Sequence, residues 1–485
     1  MSASGSLPEY EKLELLIDGK WTAGSTGVTE PVIDPATGDI LGELPHASEA
    51  DLDQAVAASE KGFNTWSAMS AYERQAIMEK AARLMEERKQ SMAINLTREM
   101  GKPLAESLME IDFVINATRF YGEEGKRVYG RVVPSRMAGV RQTVHKEPVG
   151  PVAAFVAWNF PGINVIRKVA GSIAAGCSIV IKASEETPAT CISIARCFTD
   201  AGIPDGVINC VFGVPANVSE RVLGSWIPRK VSFTGSVPVG KHLQKLAADT
   251  MKRCTMELGG HSPFIVFDDV DVETAAATAV AGKYRNAGQV CVSPTRFYVH
   301  EKVFDKFTDT FAEKAQALNV GNGLDDGVQM GPLVAPRRID WMNKLVDNAR
   351  QNGGDVMTGG ESLGAESNFY SPTVIRNVSE DALIMNEEPF GPVAPICSFS
   401  DFDEVVARSN KLPVGLAAYI MTQDGDRANA ITSKLNAGTM AVNSLAVSSP
   451  ETPFGGVNES GYGSEGGIEG LEAFLRTKFV SETGV

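Results

Sequence analysis

Between Asp51 and Lys126 the apolar residues recur at intervals of three and four, in the runs DLDQAVAASEKGFNTW and YERQAIMEKAARLMEERKQSMAINLTREMGK. That spacing predicts helices with one buried face, and Gly101-Lys102-Pro103 supplies a stop. From Gly150 the period changes. GPVAAFVAW, CSIVIK, VINCVF and RKVSFT predict strands, while INVIRKVAGSIAAG, PATCISIARCFTDAG and VPVGKHLQKLAAD between them predict helices. Strands alternating with helices of this length pair in parallel and bury both faces, so the fold expected is a doubly wound α/β sheet. After Glu257-Leu-Gly-Gly a second series begins, with FIVFDD as a strand, VETAAATAVAGKYRNAG as a helix, and PVAPICSF and AAYIM as later strands. PFGGVNESGYGSEGG predicts an ordered loop. The picture is two α/β lobes with a cleft between them, the usual place for a substrate.

Composition narrows the function. A chain of 485 residues is too long for one core, and its 47 glycines suit close backbone approaches to a nucleotide. The net charge of −15 argues against nucleic acid or an anionic membrane as partner. The seven cysteines are scattered, without C-x-x-C spacing, and the five histidines are isolated, so no metal site is expected. No apolar run approaches the roughly 18 residues of a membrane span, and the start MSASGSLPEYEKLELL lacks the apolar core of an export signal. The cytoplasm is the expected compartment.

The segments that carry chemistry are WNFP (158 to 161), IKASEETP (181 to 188), FTGS (233 to 236), MELGGHSP (256 to 263), GQVC (288 to 291) and EEPFGP (387 to 392). In this order and spacing, from about residue 14 to residue 480, the chain resembles the aldehyde dehydrogenase superfamily. The resemblance implies a Rossmann-type doubly wound NAD(P)-binding domain, an α/β catalytic domain and small oligomerisation strands. It places the nucleotide domain at 1–126 and 148–257, the catalytic domain at 258–447, and the oligomerisation and C-terminal segments at 127–147 and 448–485.

The chemistry asks for the same residues. An aldehyde carbon must become tetrahedral before it can release hydride, and a thiolate achieves this while leaving a hydrolysable thioester. Cys291, in a loop after a helical segment, is the candidate nucleophile. The oxyanion needs preorganised donors; the resemblance assigns one to the Asn159 amide, with the Cys291 backbone N–H as the other. Glu257, flanked by Met256, Leu258 and two glycines, is expected to be desolvated, its pKa raised into the range of a useful general base.

For the nucleotide, the resemblance implies that Lys182 and Glu185 reach the adenosine ribose and Glu388 the nicotinamide ribose. Trp158, Ser184, Leu258 and Phe390 complete the expected cofactor contacts, with Gly235 and Ser236 opening a helix that faces the pyrophosphate. A carboxylate at 185 accepts ribose hydroxyls but repels a 2′-phosphate, which favours NAD; Lys182 and Ser184 leave NADP possible. GSVPVGKH (235 to 242) nearly spells a phosphate-binding loop of NTPases, but histidine stands where magnesium needs a hydroxyl.

Within the superfamily the resemblance is to succinate-semialdehyde and 2-oxoglutarate-semialdehyde dehydrogenases. Arg167 and Arg285 match arginines that bind the substrate's distal carboxylate, Ser449 matches a third contact, and Phe454 is expected beside them. One departure is Ser293, at a position where many succinate-semialdehyde enzymes carry a second cysteine, so no local disulfide switch forms here. Substrates of four carbons, of five (glutarate semialdehyde), or of five with a 2-oxo group all remain open, as does an uncharged aldehyde. Rival readings are a non-catalytic binding protein of the same fold, against which the intact trio of Cys291, Glu257 and Asn159 counts, and an esterase using the same thiol. The resemblance also implies homodimers or homotetramers, built through strands near TVHKEP and FLRTKFVSE.

Overall fold

The computed structural model describes residues 7–365 and 367–484; residues 1–6 of the N-terminal segment interpreted above lie outside them. Two large sheets organise the chain, each with its own apolar core. The first has eight strands, in the order Lys20–Thr22, Leu15–Ile17, Ile208–Val211, Ile179–Lys182, Val152–Phe155, Lys230–Gly235, Arg253–Leu258 and Gly461–Tyr462. Its five central strands are parallel and carry every strand expected between residues 150 and 257. Helices Pro161–Ala175, Pro188–Ala201 and Val237–Ala248 connect them, the first two ending on left-handed Gly176 and Gly202. Burial on both faces explains their near-continuous Val, Ile and Ala composition.

The second sheet has seven strands, ordered Asp355–Thr358, Thr373–Arg376, Val393–Phe399, Pro294–His300, Ser262–Val266, Ala417–Met421 and Thr439–Val442. Only its first pair is antiparallel. A third, antiparallel sheet joins Leu475–Thr483, Val140–Pro148 and Arg131–Val133. Among the described residues, no helix is long and apolar enough to cross a membrane.

The structure departs from the sequence pattern in four places. The long helical run is two helices, Ala71–Glu87 and Lys89–Met100, meeting at Arg88, whose guanidinium turns to Asp200 at 2.7 Å. No glycine or proline marks this break. The helix expected to reach Gly288 stops at Tyr284, because Asn286 (φ 48°) and Ala287 (φ 53°) are left-handed. A left-handed alanine costs about 1–2 kcal/mol, so tertiary contacts must hold it. Four strands of three to six residues precede residue 46, too short to have shown a period. Finally, the glycine-rich segment near the C-terminus contributes Gly461–Tyr462 to the first sheet, pairing Gly461 with Glu257.

Candidate active site

Cys291 sits at the end of the irregular turn that follows helix Val272–Tyr284. The turn needs Gly288: at φ +73° a Cβ there would lie 2.2 Å from the Gly391 carbonyl oxygen. Asn159 follows strand Val152–Phe155, just before helix Pro161–Ala175, and Glu257 lies near the end of strand Arg253–Leu258. All three open into one cavity of about 480 Å³ at the carboxyl ends of the parallel strands, where open α/β sheets bind ligands.

Glu257 is 3% exposed, and burial raises its pKa to about 7, with the neighbouring Glu465 pushing the same way. Its Oε1 has no hydrogen-bond partner among the described residues. Burial, and then the charge of Glu257, push the Cys291 thiol well above its ordinary value, while Arg167 opposes both shifts. Two acids facing each other in a buried cavity resist ionising together. Asn159 donates one amide N–H to the Gln289 carbonyl at 3.2 Å, and its Oδ1 accepts from Asn164 at 3.3 Å. These bonds fix which face of the amide is the donor and leave its second N–H for a ligand.

The same cavity gathers Trp158, Gly235, Ser236, Leu258, Glu388 and Phe390, all expected on the nucleotide. Ser236 caps helix Val237–Ala248, whose N-terminus opens on the cavity. Glu388 is raised to about 8 by burial, and its Oε1 is an unpartnered buried acceptor. Its other oxygen rests where Gly259 has no side chain; a Cβ there would be 2.6 Å away. An orphaned carboxylate oxygen beside a glycine cradle fits ribose hydroxyls, and a helix N-terminus fits a pyrophosphate. A second hollow, of about 640 Å³, holds Glu185 together with Glu30, Glu99, Glu186 and Arg337. Lys182 donates to Glu185 at 2.7 Å, and Ser184 to Glu186.

None of the substrate candidates is among the residues lining that cavity, and of the four only Arg167 and Phe454 are in contact with each other. Arg167 is 5% exposed, stacks 4.1 Å over Phe454 and 5.4 Å over Phe113, and donates to Ser448 at 2.5 Å. The serine on Arg167 is therefore Ser448; the Ser449 amide is turned to Thr452 at 3.0 Å. Adjacent serines in a turn point different ways, and spacing alone does not choose between them. Arg285 is exposed and lies 5.0 Å over Phe160.

Several residues about the site carried no sequence signal. Lys168, adjacent to Arg167, is fully buried and donates to Thr234 and Glu465, each at 2.6 Å. Arg338 donates to the carbonyls of Pro389 (2.7 Å) and Phe390 (3.0 Å), holding Phe390 at φ +47° with its ring edge-on to Trp158. The positions flanking a glycine-rich loop and a Pro-Arg-Arg helix start do not announce such contacts.

A thiol, a buried carboxylate and an amide donor thus open into one cavity with a helix N-terminus and an unpartnered glutamate oxygen. The chain belongs to the aldehyde dehydrogenase family, whose model matches residues 21–480. It is 45% identical over 471 residues to 4-(hydroxymethyl)benzenesulfonate dehydrogenase TsaD1 of Comamonas testosteroni, covering 97% of this chain and 98% of that one. It superposes on succinate-semialdehyde dehydrogenase from Burkholderia pseudomallei with TM-score 0.97 at 38% identity, covering 99% of this chain and all of the other. The betaine aldehyde dehydrogenase of Staphylococcus aureus, solved with NAD+, matches with TM-score 0.95 at 31% identity over 98% of this chain and 95% of that one.

Proposed function

We propose that the protein oxidises a short semialdehyde, succinate semialdehyde first among them, to the dicarboxylate through a thiohemiacetal and thioester on Cys291. Carrying this reading is the convergence of Cys291, Glu257 and Asn159 on one cavity. Glu257 takes the thiol proton as sulfur attacks the carbonyl carbon, and the Asn159 amide with the Cys291 backbone N–H receive the oxyanion. Glu388, Ser236, Trp158 and Phe390 would hold NAD(P), which when bound would supply the hydride acceptor. Once Glu257 has released that proton to solvent, its carboxylate activates the water that hydrolyses the thioester. The charged end of the substrate goes to Arg167 and Arg285, since a planar guanidinium meets both oxygens of a carboxylate. A kinetic panel of semialdehydes and uncharged aldehydes, crossed with NAD and NADP and read at 340 nm, tests the reading.

A second reading is favoured by one observation: Arg167 is flanked by the rings of Phe113 and Phe454. Aromatic walls around an anion receptor suit an aldehyde with an aryl sulfonate, and a 45% identical relative is named for an aryl sulfonate alcohol, 4-(hydroxymethyl)benzenesulfonate. The same panel separates the two if 4-formylbenzenesulfonate is included.

NAD is the favoured cofactor over NADP, because four carboxylates line the second hollow and its Arg337 is already paired with Glu186. We assign residues 1–126 and 148–257 to the nucleotide-binding domain, 258–447 to the catalytic domain with the nucleophile, and 127–147 and 448–485 to the oligomerisation and C-terminal segments. Strand Leu475–Thr483 has a free edge, and Val132 and Phe479 are 73% and 58% exposed on its sheet, which suits a homodimer or homotetramer. Seven free thiols suit the cytoplasm. Light scattering on the purified protein tests the assembly.

A further inference from the structure

Helix Leu104–Glu124 contributes no residue to the cavity, yet two of its carboxylates, one turn apart, hold both halves of the site. Glu110 is fully buried against Lys102, with Nζ to Oε2 at 2.7 Å, and its Oε1 accepts from the backbone N–H groups of Gly162 (2.8 Å) and Ile163 (3.2 Å). The Lys102 ammonium donates further to the Asn159 carbonyl at 2.9 Å and sits 3.8 Å over the Phe160 ring. The whole corner from Asn159 to Ile163 is thus pinned to the helix.

Four residues earlier, Glu106 accepts from the backbone N–H of Asn286 through both oxygens, at 3.0 and 3.2 Å. Asn286 and Ala287 are the two left-handed residues before the nucleophile. The Asn286 amide closes the arrangement, donating to the carbonyls of Asn159 (3.0 Å) and Gln289 (3.2 Å). Glu106 also lies in the fields of Lys102 and Arg285. A conformation that is unfavourable for alanine persists only where its surroundings over-determine it; here Glu106 supplies one set of those contacts, beside the Gln289 side chain, which donates to the Asn286 carbonyl at 3.1 Å.

We propose that Glu106, with the Lys102–Glu110 pair, are positioning residues that set the distance between the Asn159 amide and the Cys291 backbone N–H. This rests on the reading of those two donors as the oxyanion hole. The physical need is strict: a donor must stand at hydrogen-bond distance from where the oxyanion forms, and a displacement of about 1 Å can cost about a hundredfold in rate. One rigid element holding both donors meets that need better than two loops held independently.

Glu106 is the better test because it is only half-buried, so its variants should fold. Glu106→Ala should lower kcat by roughly 10- to 100-fold, with KM for aldehyde and Kd for NAD changed less than about threefold and Tm close to wild type. Glu106→Gln keeps an acceptor for the Asn286 N–H and should recover most of the loss. Lys102→Met, if it folds, should show the same split between kcat and Kd. The proposal is overturned if Glu106→Ala keeps kcat within about threefold of wild type. It is equally overturned if Gln is as poor as Ala, or if the loss appears in NAD affinity. A wild-type enzyme that forms no NADH with any aldehyde would instead remove the oxyanion-hole reading itself, and this proposal with it.

Discussion

Arg167 and Lys168 are consecutive on one buried helix, yet they serve different parts of the site: Arg167 donates to Ser448, Lys168 to Glu465. A helix turns about 100° per residue, so neighbours in sequence face different partners. Arg167 stands with the substrate candidates, whereas Lys168 ties strand Lys230–Gly235 to the loop carrying Glu465, which raises the Glu257 pKa.

Replacing the nucleophile is the first test. Cys291→Ala should lower kcat to below about a hundredth of wild type, since general acid–base terms alone contribute about 10²–10⁴-fold. NAD binding, followed by quenching of tryptophan fluorescence, should be retained, because Glu388 and Ser236 do not depend on the thiol.

Glu257, raised to about 7 by burial, acts as a base only when deprotonated. Activity should therefore fall as pH drops through about 7 and level off above it. Glu257→Gln should abolish that acid limb. If deacylation is the step it serves, mass spectrometry of quenched enzyme should show an acyl group on Cys291; absence of the adduct would make the residue chiefly the base for the thiol.

The arginines should govern selectivity. A charge-assisted hydrogen bond contributes roughly 1.5–3 kcal/mol, or about ten- to two-hundredfold in kcat/KM. Arg167→Ala and Arg285→Ala should each reduce the ratio of kcat/KM for succinate semialdehyde over butanal. A ratio within about threefold of wild type in both would make them structural. Arg167 is the more demanding site, because its stacking on Phe454 is lost as well.

Two substitutions test the nucleotide. Glu185→Ala frees Lys182 from its 2.7 Å partner and should shift preference from NAD towards NADP, measured as the ratio of kcat/KM values. Gly259→Ala places a Cβ 2.6 Å from Glu388 Oε2, so the carboxylate must move. KM for NAD should rise roughly tenfold, the loss of about one hydrogen bond, with reactivity of Cys291 towards iodoacetamide unchanged.

Sequence by itself determined the alternating core of this protein and most of the catalytic cavity. Short apolar runs such as CSIVIK and VINCVF, alternating with helical segments, suit buried parallel strands, and the motifs around Asn159, Glu257 and Cys291 lie at strand ends and turns. Tertiary structure alone decided the rest. Whether Ser448 or Ser449 meets Arg167, whether Lys168 is on the surface or at 0% exposure beside Glu465, and how Glu106 holds a left-handed Asn286 are outcomes of contacts between segments far apart in the chain. Periodicity reports which face of an element is buried; it carries no information on what that face is buried against, and a charged residue inside a protein is defined by its partner.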